Sequence, residues 1–162
     1  MGLDITSISQ IEKSKIEEDG FYVHKGHITT SRHSLKEGWY VTSDNSREHH
    51  FRAGSYGSHN QFRRMLAEAI HGVKVEEIWM NEDQYDGTPF NELINFSDCE
   101  GTIGHKESKK LYEDFLLHQK IFAKYVSTKC EDTDILQEWM EVYEDWTKAC
   151  MIASEEGVII FQ

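Results

Sequence analysis

Proline is nearly absent from this 162-residue chain: Pro89 stands alone. No proline-rich tract marks a linker, and no internal repeat or low-complexity stretch divides the sequence. Cysteine is scarce as well. Cys99, Cys130 and Cys150 are odd in number, widely spaced and without a C-x-x-C pair, which argues against a disulfide framework or a cysteine zinc site and for a reducing cytosol. No apolar run reaches the ~18 residues of a membrane span. The opening Met1-Gly2-Leu3-Asp4 puts an acid where a secretion signal carries bases. The expectation is a cytoplasmic protein with no membrane contact. Chains of ~100 to 200 residues usually close around one core, so residues 1–162 are read as a single domain.

Charge is present but one-sided. The formal net charge of −12 disfavours broad contact with a nucleic-acid backbone. Its distribution is uneven, because all five arginines (Arg32, Arg47, Arg52, Arg63, Arg64) fall within residues 32–64. That window carries net +3 and the other 129 residues −15. A basic island in an acidic chain points to a confined anion site. Pairing of the arginines with surface carboxylates is the alternative.

Apolar periodicity predicts an α+β fold, with an antiparallel or mixed sheet from the N-terminal half packed against three helices, two of them C-terminal. Runs at 21–24 and 27–30 flank Lys25-Gly26 as a hairpin. A strand at 39–42 would turn at Asp44-Asn45 and return through 50–53. Residues 58–71 read as a helix with Ser58 as N-cap, Gln61 completing a capping box, Gly72 closing it, and Phe62, Leu66, Ala69 and Ile70 facing inward. Residues 75–85 suit either strand or helix, and 89–97 read as extended with Leu93 and Ile94 buried. Two longer helices follow. One spans 108–126 with Leu111, Phe115, Phe122 and Val126 on one face. The other starts after Asp132 as cap and carries a broad apolar stripe from Ile135 through Trp139, Tyr143 and Trp146 to Cys150. Residues 158–161 are a closing strand that rejoins the sheet.

The segment FRAGSYGSHNQFRR, residues 51–64, holds the main functional candidates. A strand ends, a Gly/Ser turn follows and a capped helix begins. Backbone N–H groups at a helix N-terminus lack intrahelical partners and lie at the positive end of the dipole, a geometry that favours phosphate or carboxylate. Arg52 and Arg63 would neutralise the anion from either side of the turn. Ser55, Ser58 and Asn60 would hydrogen-bond it, with His59 nearby, and Tyr56 would stack on a base or sugar. The glycine spacing is neither a Walker loop nor a dinucleotide fingerprint. A second polar turn, residues 92–105, adds Asn95 and Asp98 as readers of a ribose or base edge.

No cofactor or structural metal is expected, and His49-His50 would point to opposite strand faces. The rival reading is a metal-dependent hydrolase or nucleotide-processing enzyme using Asp98 and Glu100, with His59 assisting. A third is an acidic inhibitor that docks on a basic host protein.

The opening Met1 to Ile5, the block FRAGSYGSHN at 51–60 and the block ELINFSDCEGTIG at 92–104 resemble small phage-borne and prophage-borne proteins. The resemblance covers about residues 1–125. It implies genomic context rather than chemistry: an accessory protein acting in a bacterial host cytosol, where such proteins counter host immunity, in some cases by sequestering nucleotide second messengers. The expectation is therefore a phage accessory protein that binds a small phosphorylated molecule, a nucleotide or nucleotide second messenger, without turning it over. A homo-oligomer is compatible with this reading.

Overall fold

A computed structural model describes residues 2–16, 19–24, 31–32, 35–96 and 99–162. The chain runs through strands β1 (Gly2–Ile8), β2 (Ile11–Lys13), β3 (Phe21–Val23), β4 (Ser31–Arg32), β5 (Gly38–Thr42) and β6 (Glu48–Ser55). Helix α1 (Tyr56–Leu66) continues into a wider π turn (Ala67–His71). Short helices α2 (Val75–Met80), α3 (Glu82–Tyr85) and α4 (Asn91–Ile94) follow. Strand β7 (Gly101–Gly104), helices α5 (His105–Lys129) and α6 (Thr133–Ala153) and strand β8 (Val158–Phe161) complete it. The architecture is α+β, as the periodicity predicts. No helix among the described residues is long and apolar enough to cross a membrane.

Five strands form a mixed sheet in the order β4-β7-β8-β1-β6, in which only β4 and β7 are parallel, and three form a second sheet in the order β2-β5-β3. The predicted pairing of 39–42 with 50–53 is corrected here: β6 pairs with β1, and β5 with β2 and β3. The turn at Asp44-Asn45 is present, but the two arms bend between sheets. The Ser9 N–H donates to the Arg47 carbonyl at 2.9 Å and the Ser43 N–H to that of Gln10 at 3.1 Å, so one ladder continues around a corner that Gln10 makes at φ 52. The 25–30 half of the other predicted hairpin lies outside the described residues. Gly157 closes the α6–β8 return against this corner, where an added Cβ would meet the Ile8 carbonyl oxygen at 1.9 Å.

Strand alternation puts Leu3, Ile5 and Ser7 of β1, and their neighbours Phe51 and Ala53 of β6, on the face covered by α6. Trp146 of α6 is fully buried there, edge-on to Phe51 at 5.2 Å and against Phe161 at 5.6 Å. The expected inward residues of α5, Leu111, Phe115, Phe122 and Val126, are all fully buried. In α6 the stripe is buried from Tyr143 onward, and Ile135 at its start is exposed. Asp132 caps α6, accepting from the Asp134 N–H at 2.8 Å.

Two local readings change. Residues 89–96, the described part of the stretch read as extended, are not extended, because Lys110 draws them onto α5. Its ammonium donates to the Thr88 carbonyl at 2.7 Å, to Glu92 at 2.7 Å and to Asp114 at 3.0 Å. Asp114 also accepts the Phe90 N–H at 2.9 Å. Phe90 thereby sits at φ 61 with its ring buried against Phe115, a conformation that costs a non-glycine residue free energy and persists only where neighbours hold it. Leu93 and Ile94 are buried, as expected.

The second change concerns the start of α1. The N-cap is Ser55, not Ser58: the Ser55 Oγ accepts the Ser58 N–H at 3.1 Å, and the two hydroxyls lie 2.9 Å apart. Glycines do not delay the helix, since β6 runs straight into it. Gly72, at φ 67, closes the π turn in the left-handed conformation expected of it. Removing an N-cap hydroxyl costs about 0.5 to 2 kcal/mol, so Ser55→Ala is expected to destabilise the domain by that amount and Ser58→Ala by clearly less. Denaturant melts of both variants measure it, and equal losses would contradict the assignment.

Candidate functional site

Strand β6 delivers Arg52, Ala53 and Gly54 to the first turn of α1, where Ser55 and Ser58 are already bonded to one another. Gly54 adopts φ 94, and a Cβ on it would lie 2.8 Å from that of Ser58, so only glycine lets strand and helix meet this closely. The cap hydroxyl satisfies one first-turn donor, and the dipole of an eleven-residue helix ends at this point. The Arg52 side chain is exposed and extends beside Gly2 of β1, with Asp4 directly across the strand.

The hollow at this junction has a volume of about 190 Å³ and is lined by Arg52, Ala53, Gly54 and Ser58 on one side and by Glu138, Trp139 and Val142 of α6 on the other. Sites that enclose a whole small ligand run to ~300 to 1,000 Å³, so this one is too small to enclose such a ligand whole. Trp139 is half-buried, its ring stacked on Phe62 at 6.4 Å with planes 11° apart. Glu138, Trp139 and Val142 were read from the sequence as parts of an amphipathic helix. Helical periodicity names the face of α6 that turns inward, and carries no signal for which core aromatic borders an opening eighty residues earlier in the chain.

The other predicted residues go elsewhere. Arg63 is buried, and its guanidinium donates to the carbonyls of Ile94, at 3.2 Å, and of Phe96 and to the Asn60 side-chain oxygen. It lies 5.4 Å from the centre of the Trp79 ring, and the Trp79 indole N–H donates to the same Ile94 carbonyl at 3.0 Å. Arg63 therefore closes the C-terminal end of α4 and borders a separate hollow with Trp79, Glu82 and Asn95. The geometry does not bring Arg52 and Arg63 to one anion. Arg64 pairs with Glu76 and Arg47 with Glu155, the surface-pairing alternative for those two members of the island. Asn95 is buried and donates to Asn91. His59 is fully buried, its ring 5.6 Å from Trp146 and 6.1 Å from Phe161, which makes it part of the core. Tyr56 is half-buried at the first position of α1. Asp98 lies outside the described residues, Glu100 is exposed, and no group of three or more His, Cys, Asp and Glu residues among the described ones is placed to hold a metal ion.

His49 and His50 do face opposite ways. His50 meets Thr6 at 3.0 Å and Glu48 at 3.1 Å on the outer sheet face, and His49 turns inward to Asp145 of α6 at 3.1 Å. Burial lowers the His49 pKa from its ordinary 6.5, with the Lys148 ammonium adding to the effect and Asp145 opposing it. The unfolded chain then takes up this proton before the folded one does, so stability falls as pH drops through about 6.5 and levels off below the folded value. Denaturant melts at several pH values should give a smaller acid loss for His49→Gln than for wild type.

Arg63 generates a sharper expectation. Its removal takes the side-chain donor from the Phe96 carbonyl, while the Ile94 carbonyl keeps the Trp79 N–H, and a buried group left uncompensated costs about 1 to 3 kcal/mol. Arg63→Ala should lower the denaturation midpoint, and Arg63→Lys should recover little, because a single ammonium cannot reproduce the planar fork. A variant as stable as wild type would show that the clamp contributes nothing. Comparison of the chain with family models, with curated proteins and with solved structures finds no match to any of them.

Proposed function

We propose that this protein binds a small phosphorylated ligand of nucleotide type at the β6–α1 junction and holds it without turnover. The observation that carries this reading is the shared hollow. One exposed guanidinium (Arg52), a strand glycine (Gly54), a residue of the first turn of a helix (Ser58) and one indole (Trp139) line the same opening. Helix N-termini favour anions, an unengaged arginine adds bidentate donors, and an aromatic ring gives any base a face to stack on. Glu138 on the rim accepts hydrogen bonds from ribose hydroxyls or exocyclic amines. A hollow too small for a whole nucleotide suits a ligand held at one end. This reading keeps Arg52, Ser55 and Ser58 from the sequence expectation, moves the stacking role from Tyr56 to Trp139, and releases Arg63, His59 and Asn95 to structural duties. The resemblance to phage-borne proteins supports a host second messenger as the ligand and sequestration as the purpose.

A hydrogen bond to a charged group contributes ~1.5 to 3 kcal/mol, so Arg52→Ala should weaken the ligand about ten- to a hundredfold, with Arg52→Lys intermediate. Trp139→Ala should weaken it through lost stacking. Calorimetric titration with linear and cyclic nucleotides, on wild type and on these variants, tests the reading. It is lost if wild type binds none of them, or if both alanine variants bind as wild type does.

A further inference from the structure

The hollow at the β6–α1 junction has two chemically different walls. Arg52, Gly54 and Ser58 stand on the β6–α1 side, and on the α6 side a carboxylate and an indole, Glu138 and Trp139, stand next to one another with Val142 a turn later. Among the described residues neither Arg52 nor Glu138 takes part in an ion pair or a side-chain hydrogen bond. Opposite charges that line one opening without pairing leave their bonding capacity to whatever fills it. The α6 wall is also rigid. Phe62, itself fully buried, is stacked on the Trp139 ring with planes 11° apart, and one to two turns later Tyr143 and Trp146 anchor the helix in the core.

An anion drawn to Arg52 and the first turn of α1 leaves the rest of its ligand to reach across to α6. In a nucleotide the sugar lies between phosphate and base, so the part that reaches the far wall is the base. A base stacked on Trp139 turns its edge, where its hydrogen-bonding groups lie, towards the neighbouring side chains of α6. The polar one among those that line the hollow is Glu138. An ionised carboxylate accepts hydrogen bonds and donates none. Of the common bases only guanine offers it two adjacent donors, the N1–H and the exocyclic N2 amino group. Adenine and cytosine set a ring nitrogen lone pair beside a single amino group, and uracil flanks one N–H with two carbonyl oxygens. Each of those arrangements puts an acceptor against the carboxylate.

We propose that the ligand's base is guanine, read by Glu138 through its N1–H and N2 amino group while Trp139 stacks on the ring. The assignment rests on the nucleotide-binding reading above and narrows it to a guanine nucleotide. Glu138 is the specificity-determining residue, because Arg52 and the turn of α1 meet a phosphate that all nucleotides share and Trp139 offers its face to any base.

Calorimetric titration of the full chain with guanosine, inosine and adenosine monophosphates, linear and cyclic, tests this in wild type and in Glu138→Gln. A bidentate contact to a base edge discriminates by about ten- to a hundredfold, so guanine nucleotides should bind that much more tightly than adenine ones. The inosine nucleotide, which keeps the N1–H and lacks the amino group, should fall between them. Glu138 is exposed and glutamine has its size and shape, so the variant should keep the wild-type circular dichroism. The glutamine amide presents a donor beside an acceptor and matches the adenine edge. Glu138→Gln should therefore lose guanine affinity about tenfold or more and gain adenine affinity, reversing the preference. A merely structural glutamate would change both affinities by the same factor. A wild type that binds adenine nucleotides as tightly as guanine ones, or a Glu138→Gln variant that keeps the guanine preference, overturns the assignment and leaves the phosphorylated-ligand reading standing. A wild type that binds no nucleotide removes both.

Discussion

A guanidinium cannot be taken out of water without partners for its donors, and Arg63 is 6% exposed. Much of the α1 side of the molecule is arranged to meet that requirement. The carbonyls of Ile94 and Phe96 converge on it because α4 ends there, Asn60 turns back from the preceding turn of α1, and Trp79 comes across from α2. This buried cation joins three separately formed helices. Lys110 plays the corresponding part at the other end of α4, where Thr88, Glu92 and Asp114 gather on one ammonium. Between these two cations the segment from Thr88 to Phe96 is pinned at both ends, and the positive φ of Phe90 is held by the contacts at its own N–H and ring. Charge thus organises a stretch that hydropathy alone describes poorly.

The same constraint divides the arginine island. Arg63 is enclosed, Arg64 and Arg47 are paired with carboxylates, and Arg52 stands exposed at the strand–helix junction. The proposed anion site therefore draws on one guanidinium and a helix terminus rather than a pair of arginines. A lone exposed arginine beside a glutamate favours a ligand that carries both a phosphate and hydrogen-bond donors over a simple polyanion.

What could be read from the sequence follows from the range of the signal. Helices α5 and α6 were legible with their buried faces and the Asp132 cap because amphipathic periodicity and capping are local, and β8 because a short apolar run at the end of a helix has few other places to go. Strand pairing was not. The run at β5 and the run at β6 were each recognised, but which strand lies beside them depends on the Gln10 corner, a backbone event with no side-chain signature. The N-cap was displaced by one turn for a related reason: of two serines three residues apart Ser58 alone has the glutamine of a capping box, and the continuity of β6 into α1 nevertheless selects Ser55. Residues 89–97 read as extended because Pro89 opens them, and the lysine that pulls them into a turn lies twenty-one residues further on. The candidate site was half legible. Its strand and turn came from one contiguous segment, and its aromatic wall came from α6, where Trp139 is indistinguishable by spacing from its neighbours in the core.

Helix α6 connects the junction hollow with a groove against α5 and limits how both can behave. Glu138, Trp139 and Val142 line the junction hollow, and Glu144, Thr147, Lys148 and Met151, one to two turns later, line the groove with α5. Between them Tyr143 and Trp146 are fully buried, and the Tyr143 hydroxyl donates to the Phe115 carbonyl at 2.7 Å. Close-packed aromatic contacts of this kind do not deform continuously, so α6 cannot shift towards a ligand without disturbing the core. The junction hollow is then preformed, and a ligand moves an equilibrium only by its differential affinity for two states. A protein built in this way is suited to holding a ligand rather than to relaying its arrival. The proposed sequestration asks for no more, since its effect would depend on affinity and copy number and on no conformational response.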